Sequence, residues 1–231
     1  MTDAPGADGR AANEGVVEVP GAGAVSSLLV HPAGARLGFV LAHGAGAGMR
    51  HPFLAALSVR LASFGVATFR YQFPYVQAGG HRPDPPEVAA ATVRAAVKEA
   101  ALVMEGLPLI AGGKSFGGRM TSTAAAAAPL PGVRGIAFLG FPLHPPKQPG
   151  TQRADHLARV TVPMLFLQGT RDEFAELPLL EPVVRALGPR ATLHLVDGAD
   201  HSFAVPKALG QSGADVLDEL ANALSRWATA L

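Results

Sequence analysis

The chain of 231 residues predicts an α/β fold: a doubly wound, mostly parallel sheet with helices on both faces and no large cap domain. Three observations predict it. From residue 16 onward, short β-branched runs alternate with longer amphipathic or Ala-rich stretches. Several of the short runs are apolar almost throughout, as expected of parallel strands covered on both faces. The links between them are short, which favours right-handed strand–helix–strand crossovers.

Taken in order, strands are expected at 25–30, 37–42, 66–70, 108–112, 134–139, 163–168 and 191–196. Helices are expected at 51–64, 86–105, 116–128, 175–187 and 209–230. Asp84 is placed to cap the second helix, with Pro85 and Pro86 just inside it, where a missing N–H costs little. Pro178 and Pro182 are expected in the first turns of the fourth for the same reason. The Ala run at 124–128 reads as a helix face packed tightly on the sheet. The Pro-rich link at 140–161 is the longest irregular segment and too short for a lid domain, which predicts an open site. Residues 1–14 read as a disordered tail and 15–231 as one domain.

Composition narrows the chemistry. Hydrophobic residues make up 48% of the chain, enough for a sizeable core. Nineteen basic residues against 18 acidic ones leave a net charge of +1, and none form a basic stripe. No nucleic-acid or membrane partner is therefore expected. There is no cysteine, which removes disulfides, thiolate metal sites and a Cys nucleophile and fits a cytoplasmic location. The N-terminus lacks the basic start and apolar run of a secretory signal. No metal-ligand spacing is present, and no cofactor is expected.

One turn carries a chemical motif. Gly113, Ser115 and Gly117 match the nucleophile elbow G-x-S-x-G, between a strand and a helix as that motif requires. The glycines are needed because side chains two residues either side of the Ser would clash in so tight a turn. The bland alternative is a Gly-rich turn with an incidental Ser. Two rivals fail on spacing. A phosphate-binding loop ending at Gly113-Lys114-Ser115 needs Gly where Pro108 stands, and Gly44, Gly46 and Gly48 lack the third glycine of a dinucleotide loop.

A Ser hydroxyl needs a base, and the base needs an orienting acid. The strand at 163–168 ends in a loop carrying Asp172, and the strand at 191–196 ends in a loop carrying His201, in the chain order Ser, acid, His. Asp172 also stands where it would cap the next helix, and Glu173 is a competing acid one residue further from the strand end. Among the other histidines, His194 lies inside a strand, while His31, His51, His81 and His156 sit at loop or helix starts with a surface role as the default. The loop His43 to Gly48 follows the strand at 37–42, where a second oxyanion donor would come from. Phe116 N–H and Ala45 N–H are the expected donors, with Gly46 as the alternative. Candidate pocket residues are His43, Tyr71, Phe73, Tyr75, His144 and Lys147, although His43 reads better as a loop brace and the aromatics as packing. Arg82, Lys114, Arg119 and Lys147 are candidates for attracting an anionic substrate, against the reading that they are solvated or paired.

The segments HGAGAGMRHPF, FRYQFPY, GGKSFGGRM, GFPLHPPKQ, LQGTRDEF and DGADHSF together resemble a known group. It is the small α/β-hydrolases related to testis-expressed protein thirty and NSL-complex subunit three, distant relatives of the dienelactone hydrolases. The resemblance covers about residues 16–230. It implies the α/β-hydrolase fold with an eight-stranded sheet and carries the catalytic roles onto Ser115, Asp172 and His201. It departs from dienelactone hydrolases proper, whose nucleophile is Cys. The activity rests on the site itself: nucleophile, base, acid and oxyanion loop together point to a carboxylesterase-like serine hydrolase acting on an ester or thioester of a small acyl substrate. The chromatin-associated members imply the alternative, a catalytically silent binding scaffold. A carboxylate nucleophile, as dehalogenation requires, is excluded by Ser115.

Overall fold

The computed structural model describes residues 12–231, so the expected tail at 1–14 falls largely outside the described residues. Its last two positions, Asn13 and Glu14, lie in a strand that sequence reading did not resolve, β1 (Asn13–Val19). The remaining strands are β2 (Gly23–Val30), β3 (Leu37–Ala42), β4 (Val66–Tyr71), β5 (Leu109–Lys114), β6 (Val133–Leu139), β7 (Met164–Gly169) and β8 (Ala191–Val196). They form one eight-stranded sheet in the order β1-β2-β4-β3-β5-β6-β7-β8. β1 pairs with β2 and β2 with β4 antiparallel; every other pairing is parallel.

The helices are α1 (Pro52–Ser63), α2 (Pro74–Gln77), α3 (Pro86–Val103), α4 (Phe116–Ala127), α5 (Leu177–Ala186) and α6 (Gly213–Thr229). Among the described residues no helix is long and apolar enough to cross a membrane. Strand β3 shows why the layers form. Its alternate residues Phe39 and Leu41 pack with Leu54, Leu57 and Leu61 of α1 and Leu220 and Leu224 of α6. Val40 and Ala42 join the opposite core with Val93 and Ala96 of α3 and Met120 of α4. A strand buried on both faces must be apolar at every position, and β3 is. In α3 the buried positions Ala89, Thr92, Val93, Ala96, Val97 and Ala100 recur at helical spacing, and their small size lets the helix lie close to the sheet. A third core, under α5, gathers Ile136, Phe138, Phe141, Leu157, Phe166 and Leu180.

Three local expectations are corrected. Asp84 does not cap α3, whose N-cap is Pro85 without a side-chain bond; its carboxylate instead accepts from Tyr75 N at 3.2 Å. Pro178 is in the first turn of α5, but Pro182 lies inside the helix, on an exposed position. The 140–161 link is less irregular than its composition implies. Residues 152–159 form a 3₁₀ helix, and Phe141 and Leu143 are buried in the third core.

The sheet order places the site. After β3 the chain crosses to β4 on one side, then returns to β5 on the other, so the loops leaving β3 and β5 diverge. A crevice opens at the C-terminal ends of strands at such a switch point.

Candidate active site

β5 runs into α4 through Ser115, which adopts φ 49 and ψ −114. Only two other described non-glycine residues, Lys147 and Phe203, have positive φ. The turn closes because of its glycines. A Cβ on Gly113 would lie 2.4 Å from the Ala42 carbonyl oxygen, and one on Gly117 would lie 2.5 Å from that of His43. The elbow thus sits directly on the β3 strand end, and a side chain at either position would push the two apart. Strain at one non-glycine residue is held in place by this packing.

The loops after β7 and β8 are fastened to each other. Arg171 N donates to Ala199 O at 2.9 Å, and Gly198 N donates to Thr170 Oγ1 at 2.7 Å. A Cβ on Gly169 would meet Ala199 O at 2.2 Å, so the loops touch backbone to backbone. From the first loop comes Asp172, whose side chain is 0% exposed. From the second comes His201. His201 Nδ1 lies 2.7 Å from Asp172 Oδ2, and His201 Nε2 lies 2.8 Å from Ser115 Oγ. A proton on Nδ1 bonds the carboxylate and leaves Nε2 to accept from the Ser hydroxyl; this tautomer is assigned from the bonds.

The carboxylate is held by groups that sequence reading did not single out. Gln168 Nε2 donates to Asp172 Oδ2 at 2.6 Å, and Phe174 N donates to Oδ1 at 2.8 Å. The Phe174 ring stacks on the His201 imidazole, with centroids 4.3 Å apart. Gln168 left a signal: it is the one polar residue in the run PMLFLQ, and a buried polar side chain on a strand needs a partner. Glu173, the competing acid, is exposed.

Of the expected oxyanion donors, Phe116 N and Ala45 N have no acceptor among the described residues. Gly46 is corrected: its N–H donates to the Tyr75 hydroxyl at 3.2 Å and is not free. A cavity of about 300 Å³ opens over Ser115 and His201, walled by Ala45, Ala47, Phe53, Leu54 and Phe174. A second cavity of about 200 Å³, between Arg36 and Arg134, lies at the other end of the strands, away from Ser115.

The pocket candidates fare differently. His43 is fully buried and does not line the cavity over Ser115: its Nδ1 donates to Gly44 O at 2.8 Å, and its Nε2 accepts from Phe73 N at 3.1 Å. Burial pushes its imidazole down to about 4, so it is a neutral brace between two loops. Tyr71 and Phe73 are buried packing residues, with Phe73 edge-on to both His43 and Phe116. His144 is buried as well; its Nε2 pairs with the Glu176 carboxylate, and its main-chain N donates to Phe174 O at 3.2 Å. It therefore ties the 140–149 segment to the Asp172 loop and does not line the pocket. Lys147 is exposed and away from the cavity. The four proposed cations do not converge on a substrate: Arg82 and Lys147 are exposed, and only Lys114 borders the cavity.

His156, expected at the surface, is half-buried with its Nε2 2.7 Å from Ser122 Oγ. Burial, with Arg119 and Arg159 nearby, pushes it down to about 4. This second Ser–His pair lacks the features of a nucleophilic site. Ser122 is fully buried inside α4, its Oγ lies 2.9 Å from Arg119 O, and His156 bonds no carboxylate among the described residues.

Fold and site together define a class. Residues 35–229 match the family described as the α/β hydrolase domain, and the chain belongs to that family. Solved structures with the same fold include a dienelactone hydrolase from Anabaena variabilis, 22% identical over 94% of this chain and 96% of that one, with a TM-score of 0.74. A serine hydrolase without a lid from Xanthomonas campestris is 20% identical over 93% and 92%, TM-score 0.71. The esterase domain of a Rhodothermus marinus protein is 17% identical over 94% and 98%, TM-score 0.71.

Proposed function

We propose that the protein is a serine hydrolase that cleaves an ester or thioester of a small acyl substrate through an acyl-enzyme. The observation that carries this reading is the unbroken chain from Ser115 Oγ to His201 Nε2 at 2.8 Å and from His201 Nδ1 to Asp172 Oδ2 at 2.7 Å. His201 takes the hydroxyl proton as Ser115 Oγ attacks the acyl carbon. The Phe116 and Ala45 N–H groups, lacking acceptors of their own, hold the oxyanion at the positive end of α4. Asp172 fixes the His201 tautomer and stabilises the imidazolium, which then protonates the leaving group. Water releases the acyl group by the same route.

Kinship with the testis-expressed protein thirty group rests on GGKSFGGRM and GFPLHPPKQ. The structural neighbours, a dienelactone hydrolase and an esterase domain, are hydrolases, which supports a hydrolase in kind. Labelling by a fluorophosphonate probe tests the proposal. The protein should label, and Ser115→Ala should abolish labelling and lower turnover by about 10⁶ while the fold is kept. Hydrolysis at wild-type rate by Ser115→Ala would end the reading; a folded wild-type protein that neither labels nor hydrolyses would point to a binding scaffold.

A further inference from the structure

We propose that Lys114 is a positioning residue for this reaction: its ammonium is the counter-ion of Asp172 and fastens the His201 loop to the elbow. The inference rests on the triad reading above. Lys114 Nζ donates to the main-chain carbonyl of His201 at 2.6 Å. It also converges with the acid and the base on one point. A Cβ built on Gly140 would lie 3.1 Å from Lys114 Nζ, 3.4 Å from His201 Nδ1 and 3.5 Å from Asp172 Oδ2. Gly140 has φ +70 and no side chain, which leaves the three groups around its Cα without a side chain between them.

The need for a cation follows from burial. The Asp172 side chain is 0% exposed, and a buried carboxylate is stabilised by hydrogen bonds and further by an opposite charge close by. Gln168 Nε2 and Phe174 N supply bonds without charge. His201 must rest neutral to serve as base, so it supplies none either. Without Lys114, a lone buried anion would draw a proton onto the imidazole and block Nε2. The charged and titratable groups facing Lys114 are Asp172, Asp200 and His201 on the two loops, with His51 at the start of α1 across the same cavity. The Phe203 ring adds an aromatic face, its centroid 5.5 Å from Nζ. Burial lowers the ammonium to about 8, while Asp172 and Asp200 pull the other way, so it keeps its charge near neutral pH.

The test is p-nitrophenyl acetate hydrolysis by the full chain from about pH 5 to 9, with Ser115→Ala alongside. Lys114→Met should lower kcat about tenfold with KM nearly unchanged and move the acid limb of kcat/KM up by about one pH unit. A spacer role would lower the rate without moving the limb. Because the chain has no cysteine, Lys114→Cys offers a single alkylation site, which serves if Lys114→Met misfolds. Aminoethylation there restores an ammonium and should restore the wild-type limb; hydroxyethylation restores length without charge and should not. An unmoved limb in Lys114→Met, or equal rescue by both adducts, overturns the inference. Activity retained by Ser115→Ala would instead overturn the triad reading, so the two failures are distinguishable.

Discussion

Among single residues, the two adjacent acids separate the roles most sharply. Asp172 is buried and bonded to His201, while Glu173 is exposed. Asp172→Asn should keep the shape of the site but allow the wrong imidazole tautomer, costing about 10⁴ in turnover. Glu173→Gln should leave turnover within about twofold. Steady-state kinetics on the two variants checks this, and a crippled Glu173→Gln would contradict the geometry. His43 gives a pH prediction. Its folded value of about 4 lies below the ordinary 6.5, so the folded state binds fewer protons than the unfolded one between those values. Stability is therefore intact above about pH 6.5 and is lost as pH falls towards 4, by about 3 kcal/mol from this residue alone. Denaturant midpoints at pH 7 and 4.5 should show the loss in the wild type and a shallower one in His43→Gln.

At the level of elements, the proposed chemistry depends on two loops that make contact through backbone. Gly169→Ala would place a Cβ 2.2 Å from Ala199 O, with no flexible side chain available to yield. The loops bearing Asp172 and His201 must then separate, so both stability and turnover should fall, stability by about 1–3 kcal/mol. Gly213 at the start of α6 provides the contrast, since a Cβ there meets nothing within 4 Å. Gly213→Ala should be neutral or stabilising by up to about 1 kcal/mol with turnover unchanged. Thermal denaturation and hydrolysis measured on the pair test the contact directly; equal melting temperatures would show that the loops tolerate separation.

For the molecule as a whole, the site sits at the switch point between β3 and β5, and among the described residues no cap domain covers it. The link between β6 and β7 packs into the core through Phe141 and Leu157 and does not fold over the cavity. With about 300 Å³ available, short-chain esters should be turned over faster than long ones. A chain-length series of p-nitrophenyl esters, with and without micelles, checks this. Preference for chains beyond about ten carbons, or activation at an interface, would require a lid that the described residues do not form.

The sequence by itself determined most of the elements and the order in which Ser115, Asp172 and His201 follow their strand ends. Seven of the eight strands are marked by short β-branched or apolar runs, and the inner parallel strands β3, β5, β6 and β7 are apolar almost throughout because both their faces are covered. The exception, β1, reads NEGVVEV: it is an edge strand, exposed over its first four residues, so it carries no such run. Ser115, Asp172 and His201 were legible because each follows a strand end in a fixed order. Asp84 and Gly46 were misjudged because a polar side chain or an N–H takes whatever partner lies nearest in space, Tyr75 in both cases. Only the tertiary structure decided that His43 and His144 are buried braces, that Gln168 and Phe174 hold the acid, and that Lys114 reaches His201 across 87 positions of sequence. Local pattern records what one segment needs from water and from its own backbone. Which charge neutralises a buried carboxylate depends on how distant loops meet, and that is settled only when the sheet is closed.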